Sequence, residues 1–223
     1  MSDLPRTAAE LARLIDHTLL KPSATPEAID ELCREARERG VFSVCVNPCW
    51  VTHAKRRLAG SEVAVCTVIG FPLGANTTRI KAAEARLAVE EGADELDMVM
   101  NVGWFLAGRH EAVREDVAAV VAEAGGRVVK VILEVALLEH AQIGPACELA
   151  VAGGASFVKT STGFGPGGAT VEAVAAMREA VGDEIGVKAS GGIRSAATAR
   201  AMLEAGATRI GASASAAILD GWG

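Results

Sequence analysis

Two lysines and an aspartate stand in runs whose neighbours are apolar. Lys159 lies in "SFVKTSTGFG" (156–165), a β-prone stretch that follows "VAGGA", and Lys188 closes the similar run "GVKASGG". Asp97 sits in "ADELDMVMN". Stripping water from an ammonium is expensive, so lysine is among the residues least often buried. Two ammonium groups lining one small cavity repel, and with desolvation this lowers the pKa of at least one of them. A neutral lysine attacks carbonyl carbon and forms a Schiff base. The iminium then withdraws electrons from the adjacent carbon bond, the activation that carbon–carbon cleavage needs. Asp97 is placed to move protons, directly or through water. A structural Asp–Lys salt bridge is the plain alternative for one such pair. Two lysines at neighbouring strand ends weaken it.

Such groups must be held by regular elements, and helix and strand signals alternate along the whole chain. "ATPEAIDELCREARERG" has Thr25 as N-cap, Pro26 at the first helical position and Gly40 as terminator, with Ile29, Leu32, Cys33 and Ala36 at helical spacing. "RHEAVREDVAAVVAEAGG" and "TVEAVAAMREAVG" repeat the pattern. Between helices lie the β-rich runs "VFSVCV", "VAVCTVIG", "ELDMVM", "VVKVILEV", "SFVKTS", "GVKAS" and "TRIGAS", with a weaker eighth, "LIDHT". Strict alternation means a parallel sheet, and eight units in 223 residues predict an α/β fold, one (β/α)8 TIM barrel over residues 1–223. An open doubly wound sheet is the runner-up, but no G-x-G-x-x-G after the first strand supports it.

A faint repeat sharpens the prediction. Five residues beyond the junction glycines Gly40, Gly92, Gly154 and Gly206 come Cys45, Asp97, Lys159 and Gly211. These fall on the even-numbered strands, and alternate strands of such a barrel contribute one interior layer of four side chains. A purely structural layer would be Val, Ile or Leu. Here it holds a thiol, a carboxylate, an amine and an empty position. The parity of "VVKVILE" puts Lys130, Ile132 and Glu134 on the same interior. Lys130, toward the start of its strand, reads as a structural ion-pair partner; Glu134 either joins the pocket or pairs with a lysine. Gly191-Gly192 follow the seventh strand and "GAS" (211–213) the eighth, the loops where such barrels hold phosphate. "GFGPGG" (163–168) adds a third loop rich in backbone N–H groups.

Composition narrows the function classes. A formal net charge of -6 leaves no footprint for nucleic acid, and no basic run suits a membrane surface. No apolar stretch reaches the roughly 18 to 20 residues that span a bilayer. The N-terminus lacks a charged-then-apolar secretory pattern, which makes a cytoplasmic setting the expectation. The five cysteines (Cys33, Cys45, Cys49, Cys66, Cys147) are odd in number and read as small core residues. Cys45 and Cys49 form a single C-x3-C without a second pair, so neither metal nor cofactor is expected.

The blocks "LIDHTLLKP", "VCVNPCWV", "TVIGFPLGANTT", "ADELDMVMNVG", "VVKVILE", "FVKTSTGFGPGGAT" and "GVKASGGIR" together resemble the deoxyribose-phosphate aldolase family, from about residue 14 to 211. The resemblance implies a metal-free class I aldolase on a (β/α)8 barrel that reversibly cleaves 2-deoxy-D-ribose 5-phosphate to acetaldehyde and D-glyceraldehyde 3-phosphate in deoxyribonucleoside breakdown. By matching motif it implies Lys159 as the Schiff-base lysine, Lys188 as the residue that keeps that amine reactive, and Asp97 in the proton relay. It implies substrate contacts from Asp16, Thr18, Cys45 and Thr160, and phosphate contacts from Gly191, Gly192, Gly211 and Ser213. Many relatives carry two adjacent serines in the last loop, where this chain has Ser213 followed by Ala214; Ser215 or the backbone is then the replacement. Phe164 stands where some members have a lysine, and the chain has no tyrosine for a proton-transferring tail. The expected partners are small phosphosugars and aldehydes, not nucleic acid or membrane, with a homo-oligomer, a dimer, as the candidate assembly. An isomerase on a phosphate-binding barrel would need a carboxylate base instead of an imine. A phosphosugar-binding scaffold would show an aliphatic interior layer.

Overall fold

The alternation of periods two and 3.6 closes on itself in space. In the computed structural model, which describes residues 4–223, eight parallel strands form a closed barrel in sequence order. The first three residues of the expected domain lie outside the described residues. The strands are β1 (Ile15–Leu19), β2 (Ser43–Val46), β3 (Ala64–Ile69), β4 (Glu95–Val99), β5 (Val128–Ile132), β6 (Phe157–Lys159), β7 (Gly186–Ser190) and β8 (Arg209–Ala212). Each predicted run contains one of them, except the weak "LIDHT" (14–18), which β1 overruns by one residue. The closing pair β1–β8 aligns Asp16 with Gly211 and His17 with Ala212.

The helices are α1 (Ala8–Ala12), α2 (Pro26–Arg39), α3 (Val51–Arg57), α4 (Thr78–Glu90), α5 (Val102–Leu106), α6 (His110–Glu123), α7 (His140–Ala152), α8 (Val171–Val181), α9 (Ala196–Glu204) and α10 (Ser215–Asp220). The caps on α2 are those its sequence spells out. Thr25 Oγ1 accepts the Ala28 N–H, and Gly40 ends the helix in the left-handed conformation at φ 64°. Thr170 likewise caps α8 through the Ala173 N–H. The apolar core is the sleeve between strands and helices. Outward-facing Val44, Val65, Leu96, Val129, Val131, Val187 and Ile210 belong to one cluster with Ile29, Val117, Val120, Cys147, Val174 and Met177 of the helices. The barrel interior is therefore free to carry polar chemistry. No helix among the described residues is long and apolar enough to cross a membrane.

One ion pair is buried outside the barrel. Lys81 on α4 donates to Asp116 Oδ2 on α6 at 2.5 Å and to the Val99 carbonyl at the end of β4 at 2.9 Å. Both side chains are essentially excluded from water. The stem of Lys81 passes beneath Gly70, where a Cβ would lie 2.9 Å from Lys81 Cε. This pair joins two helices to the C-terminal rim of the barrel. Removing one partner strands a charge, whereas replacing both by apolar groups does not. Lys81→Met should therefore lower unfolding stability by about 3–5 kcal/mol in urea titration, and a Lys81→Met/Asp116→Leu double variant should recover most of that loss.

Candidate active site

The strand registers bring the candidate residues of four strands to one carboxylate. Asp97 on β4 pairs in register with Lys130 on β5, and Lys159 on β6 with both Ile132 and Lys188. Lys159 thus stands one inward step nearer the C-terminal rim than Lys130. Asp97 Oδ2 accepts from Lys159 Nζ at 2.8 Å and from Lys188 Nζ at 2.7 Å, while Oδ1 accepts from Lys130 Nζ at 2.9 Å. The Cys66 thiol also donates to Oδ1, at 3.2 Å. Lys188 forms a second ion pair with Asp16, and Lys130 a second one with Glu95 at 2.6 Å. Arg209 completes the network, 2.8 Å from Asp16 and 3.2 Å from Glu95, with its guanidinium over the Phe42 ring.

Gly211 explains the empty position in the interior layer. A Cβ there would come within 2.9 Å of Lys188 Cε, so the missing side chain is the space through which Lys188 passes. Gly186 does the same for Phe157, whose ring would lie 2.1 Å from an added Cβ.

Electrostatics inside this network follow from burial against proximity. Burial alone would push the Asp97 carboxyl up, but Lys130, Lys159 and Lys188 outweigh it and hold Asp97 well below the usual carboxylate range. Asp16 is lowered for the same reason, by Lys188, Lys130 and Arg209 against its own burial. Burial would strip Lys188 of its proton, yet Asp16 and Asp97 reverse that and raise it; Lys130 is raised likewise, chiefly by Asp97. Asp16, Glu95 and Asp97 supply three negative charges against the four cationic groups Lys130, Lys159, Lys188 and Arg209. Lys130 and Lys188 each touch more than one carboxylate, whereas Lys159 touches only Asp97, which it shares.

Above the network opens a cavity of about 220 Å³, lined by Thr18, Lys159, Thr162, Ser190 and the loop residues Gly191, Gly192, Gly211 and Ser213. Of the four buried cations, Lys159 alone lines it, with 4% of its side chain exposed. No Asp or Glu lines this cavity. Gly191 and Gly192 have φ of 87° and 81°, a path that side chains rarely allow. Gly168 lies so close to Gly191 that a Cβ on it would meet the Gly191 carbonyl oxygen at 2.2 Å. The glycine loops at 163–168 and 191–192 are therefore packed into one wall. Lys21 and Arg194, which the sequence reading did not single out, bring two exposed cations to the rim. A larger groove of about 580 Å³ near α2 and α3 is lined by Arg34, Arg57, Glu31 and Asp30, already paired with one another or with Glu38, and holds none of the network.

Several expected contacts are relocated. Asp16, Cys45 and Thr160 are wholly buried and do not line the cavity. Asp16 lies in the charged network; Thr160 Oγ1 joins β6 to β7 by donating to the Ser190 carbonyl and accepting the Ser190 N–H. Cys45 packs with Leu20, Cys66 and Val68 below Phe71. Its partner is Cys66 on β3, not Cys49, and Cys49 is exposed in the turn after β2 instead of being a core residue. The Cys45 and Cys66 sulfurs and an Asp97 oxygen lie within 4.8 Å of one another, but a metal ion there would have to displace ammonium groups from Asp97. Lys130 is the middle residue of β5, not its start, and touches Asp97 directly. Glu134 pairs with no lysine. It sits in the left-handed region at φ 55° and accepts from the Thr162 N–H and hydroxyl. Ser215 is no substitute for a second loop serine, because its hydroxyl is buried against His17 and the Ala212 carbonyl. Glu95, Cys66 and Arg209 went unrecognised; the inward parity of "ELD", "VCT" and "TRIG" carried the signal.

Comparison with known proteins agrees with this arrangement. A family described as DeoC/LacD family aldolase matches residues 11–221. The deoxyribose-phosphate aldolase of Brevibacillus brevis is 58% identical over 209 residues, covering 94% of this chain and 95% of the relative. That of Enterococcus faecalis is 56% identical over 213 residues, covering 95% and 97%. Among solved structures, the tetrameric deoxyribose phosphate aldolase of Aeropyrum pernix superposes with a TM-score of 0.89 at 37% identity, covering 96% of this chain and 91% of that one.

Glu134 shapes the loop that leaves Lys159. Its carboxylate holds Thr162, whose Oγ1 in turn accepts the Phe164 N–H at 3.1 Å, and a Cβ on Gly165 would lie 2.8 Å from Glu134 Cδ. In Glu134→Ala, hydrogen exchange at the Thr162 and Phe164 amides should accelerate about tenfold or more while the β6 amides keep their protection, as measured by mass spectrometry or NMR.

Proposed function

Because the chain belongs to the DeoC/LacD family of aldolases, we propose that it reversibly cleaves 2-deoxy-D-ribose 5-phosphate to acetaldehyde and D-glyceraldehyde 3-phosphate through a Schiff base on Lys159. One observation carries the mechanism: of the lysines gathered on Asp97, only Lys159 reaches the cavity. It is also the amine with the fewest carboxylate partners, Asp97 alone. Lys159 Nζ attacks the aldehyde carbon of the open-chain sugar, and loss of water leaves the iminium. Removal of the proton from the hydroxyl at C3 lets the C2–C3 bonding electrons flow into the iminium. Glyceraldehyde 3-phosphate departs and an enamine remains. Protonation at C2 and hydrolysis release acetaldehyde and restore the amine.

Asp97 Oδ2 bridges Lys159 and Lys188, so a proton lost by one amine has a short route to the other. Asp97 serves as relay and anchor together. Its three cations keep it ionised, and it keeps their nitrogens in place. The phosphate lies against Gly191, Gly192, Gly211 and Ser213, gripped mainly by backbone N–H groups, with Arg194 and Lys21 at the rim and Thr18 facing the sugar. Asp16, Cys45 and Thr160 act from behind the wall, without touching substrate. An isomerase finds no base here, since no carboxylate lines the cavity. The reading includes one catalytic domain over residues 1–223, a cytoplasmic setting that suits the five free cysteines, self-association as in the Aeropyrum pernix relative, and a place in deoxyribose phosphate breakdown.

Two experiments test it. Borohydride reduction in the presence of acetaldehyde should fix a two-carbon adduct on Lys159 by peptide mapping; an adduct on Lys188 would reverse the two roles, and none at all would overturn the imine. Lys188→Leu removes a cation beside Lys159 and leaves Asp97 and Asp16 less compensated. Both changes favour the proton on Lys159, so the rising limb of kcat/KM should move to higher pH, by roughly one unit. A lower rate with an unchanged profile would confine Lys188 to proton transfer or positioning.

A further inference from the structure

Where the barrel closes, three polar side chains from separate elements form a chain outside the sheet. His17 on β1 points away from the charged interior and is 5% exposed. Its Nδ1 lies 2.9 Å from Ser215 Oγ at the start of α10, and its Nε2 lies 3.0 Å from Glu35 Oε2 on α2. Ser215 is 1% exposed, and its Oγ lies 3.2 Å from the Ala212 carbonyl oxygen. Ala212 is the register partner of His17 across the closing strand pair, and with Ser213 it lines the cavity. Neither His17 nor Ser215 does. The order Ser–His–Glu is that of a hydrolase triad, but a nucleophile must meet its substrate, and this hydroxyl is sealed in.

The chain is suited to holding a turn. The residue at the cap position of α10, Ala214, provides no side-chain hydrogen bond. Beyond the backbone pairing of β8 with β1 and β7, the Ser215 hydroxyl ties the turn after β8 to the barrel through His17. We propose that His17 is a positioning residue which, through Ser215, fixes the Ala212–Ser213 wall of the cavity, and that protonation of the imidazole redirects the bond that does so.

Donor counting gives the two states. With a neutral ring, Nε2–H donates to the Glu35 carboxylate, so Nδ1 must accept the Ser215 O–H. With a charged ring, Nδ1–H donates to Ser215 Oγ, and the hydroxyl proton turns to the Ala212 carbonyl. The hydroxyl has one proton and two acceptors, and the ring decides between them. The charged groups that act on the imidazole are Glu35 and Arg39 of α2, and Arg39 is itself paired with Asp220 of α10 at 2.7 Å. Burial lowers the pKa of His17 from its ordinary value; Glu35 and, more weakly, the Ala212 backbone oppose that shift only in part. The neutral state is thus the resting one, and the second state is reached as pH falls. The same linkage makes this site stabilising above the unfolded pKa and lost as pH falls through the lowered folded value.

The consequence for substrate rests on the reading of that wall as the phosphate site, so the test uses an anion that reports on the wall alone. Inorganic sulfate, which stays a dianion throughout this pH range, is titrated against the wild type and Ser215→Ala while the ring nitrogens of His17 and the amides of Gly192 and Ser213 are followed by NMR. The wild type should show the Nε2–H form at pH 7.5, and sulfate should raise the His17 midpoint, by about half a pH unit or more, because coupling is reciprocal. In Ser215→Ala, sulfate should bind about tenfold more weakly and the midpoint should no longer respond. Glu35→Gln, at the half-exposed end of the chain, is the milder second variant: it should lower the midpoint and leave the fold and the sulfate response in place. With the sugar phosphate, Ser215→Ala should raise KM and spare kcat, and with unphosphorylated 2-deoxyribose it should change neither. An Nδ1–H form at pH 7.5, unaltered sulfate affinity in Ser215→Ala, or equal loss on both sugars would overturn the proposal. Sulfate coupling through Ser215 in a protein that does not cleave the sugar phosphate would instead overturn the assigned reaction and leave this inference standing.

Discussion

Everything in the barrel interior depends on one buried carboxylate. Asp97 accepts hydrogen bonds from three ammonium groups and a thiol, with no water-exposed surface of its own. An isolated carboxylate in that position would neutralise, and so would an isolated lysine. Together they remain ionised because each satisfies the other at hydrogen-bond distance. The arrangement also fixes where each nitrogen can be. Lys130 is held from below by Glu95, Lys188 from the side by Asp16, and Lys159 is left facing the cavity. The placement of Lys159 is in this sense a property of the set of charges, not of its own strand.

The supporting structure makes room for that set. Glycines at 186 and 211 remove two side chains from the barrel interior, and Phe157 and Lys188 occupy the space. Arg209 shows how far the support extends. It neutralises Asp16 and Glu95 from beneath and packs over Phe42, so the charged layer rests on a cation–π contact. The apolar sleeve between strands and helices is separate from all this, which is why an interior so rich in charge is compatible with an ordinary hydrophobic core.

The rim is built by different means from the interior. Its loops are pinned individually by polar contacts behind the wall: Glu134 holds Thr162, Thr160 ties the ends of β6 and β7, and His17 holds Ser215. On the far side, Lys81 and Asp116 clamp α4 and α6 to the end of β4. Of these side chains only Thr162 lines the cavity that Lys159 reaches. They transmit the rigidity of the barrel to the loops that would grip a small anionic ligand, and a loop so held needs little reordering when the ligand arrives.

Sequence by itself determined the architecture and the inward position of Lys159. Alternating periods of 3.6 and two are local properties, and so are the Thr25 and Gly40 caps and the inward parity of Asp97 and Lys159. Counting from junction glycines was enough to place Cys45, Asp97, Lys159 and Gly211 on one set of strands. What tertiary structure alone decided was direction and partnership. Lys188 threads the gap left by Gly211, Cys45 meets Cys66 instead of Cys49, Asp16 and Thr160 lie behind the cavity wall, and Ser215 turns to His17. Each of these outcomes joins residues far apart in the chain, as with the 198 positions between His17 and Ser215. Strand register and barrel closure set such distances, and side-chain rotamers then choose among the partners within reach. Periodicity tells which face a residue occupies; only the closed barrel tells what stands opposite.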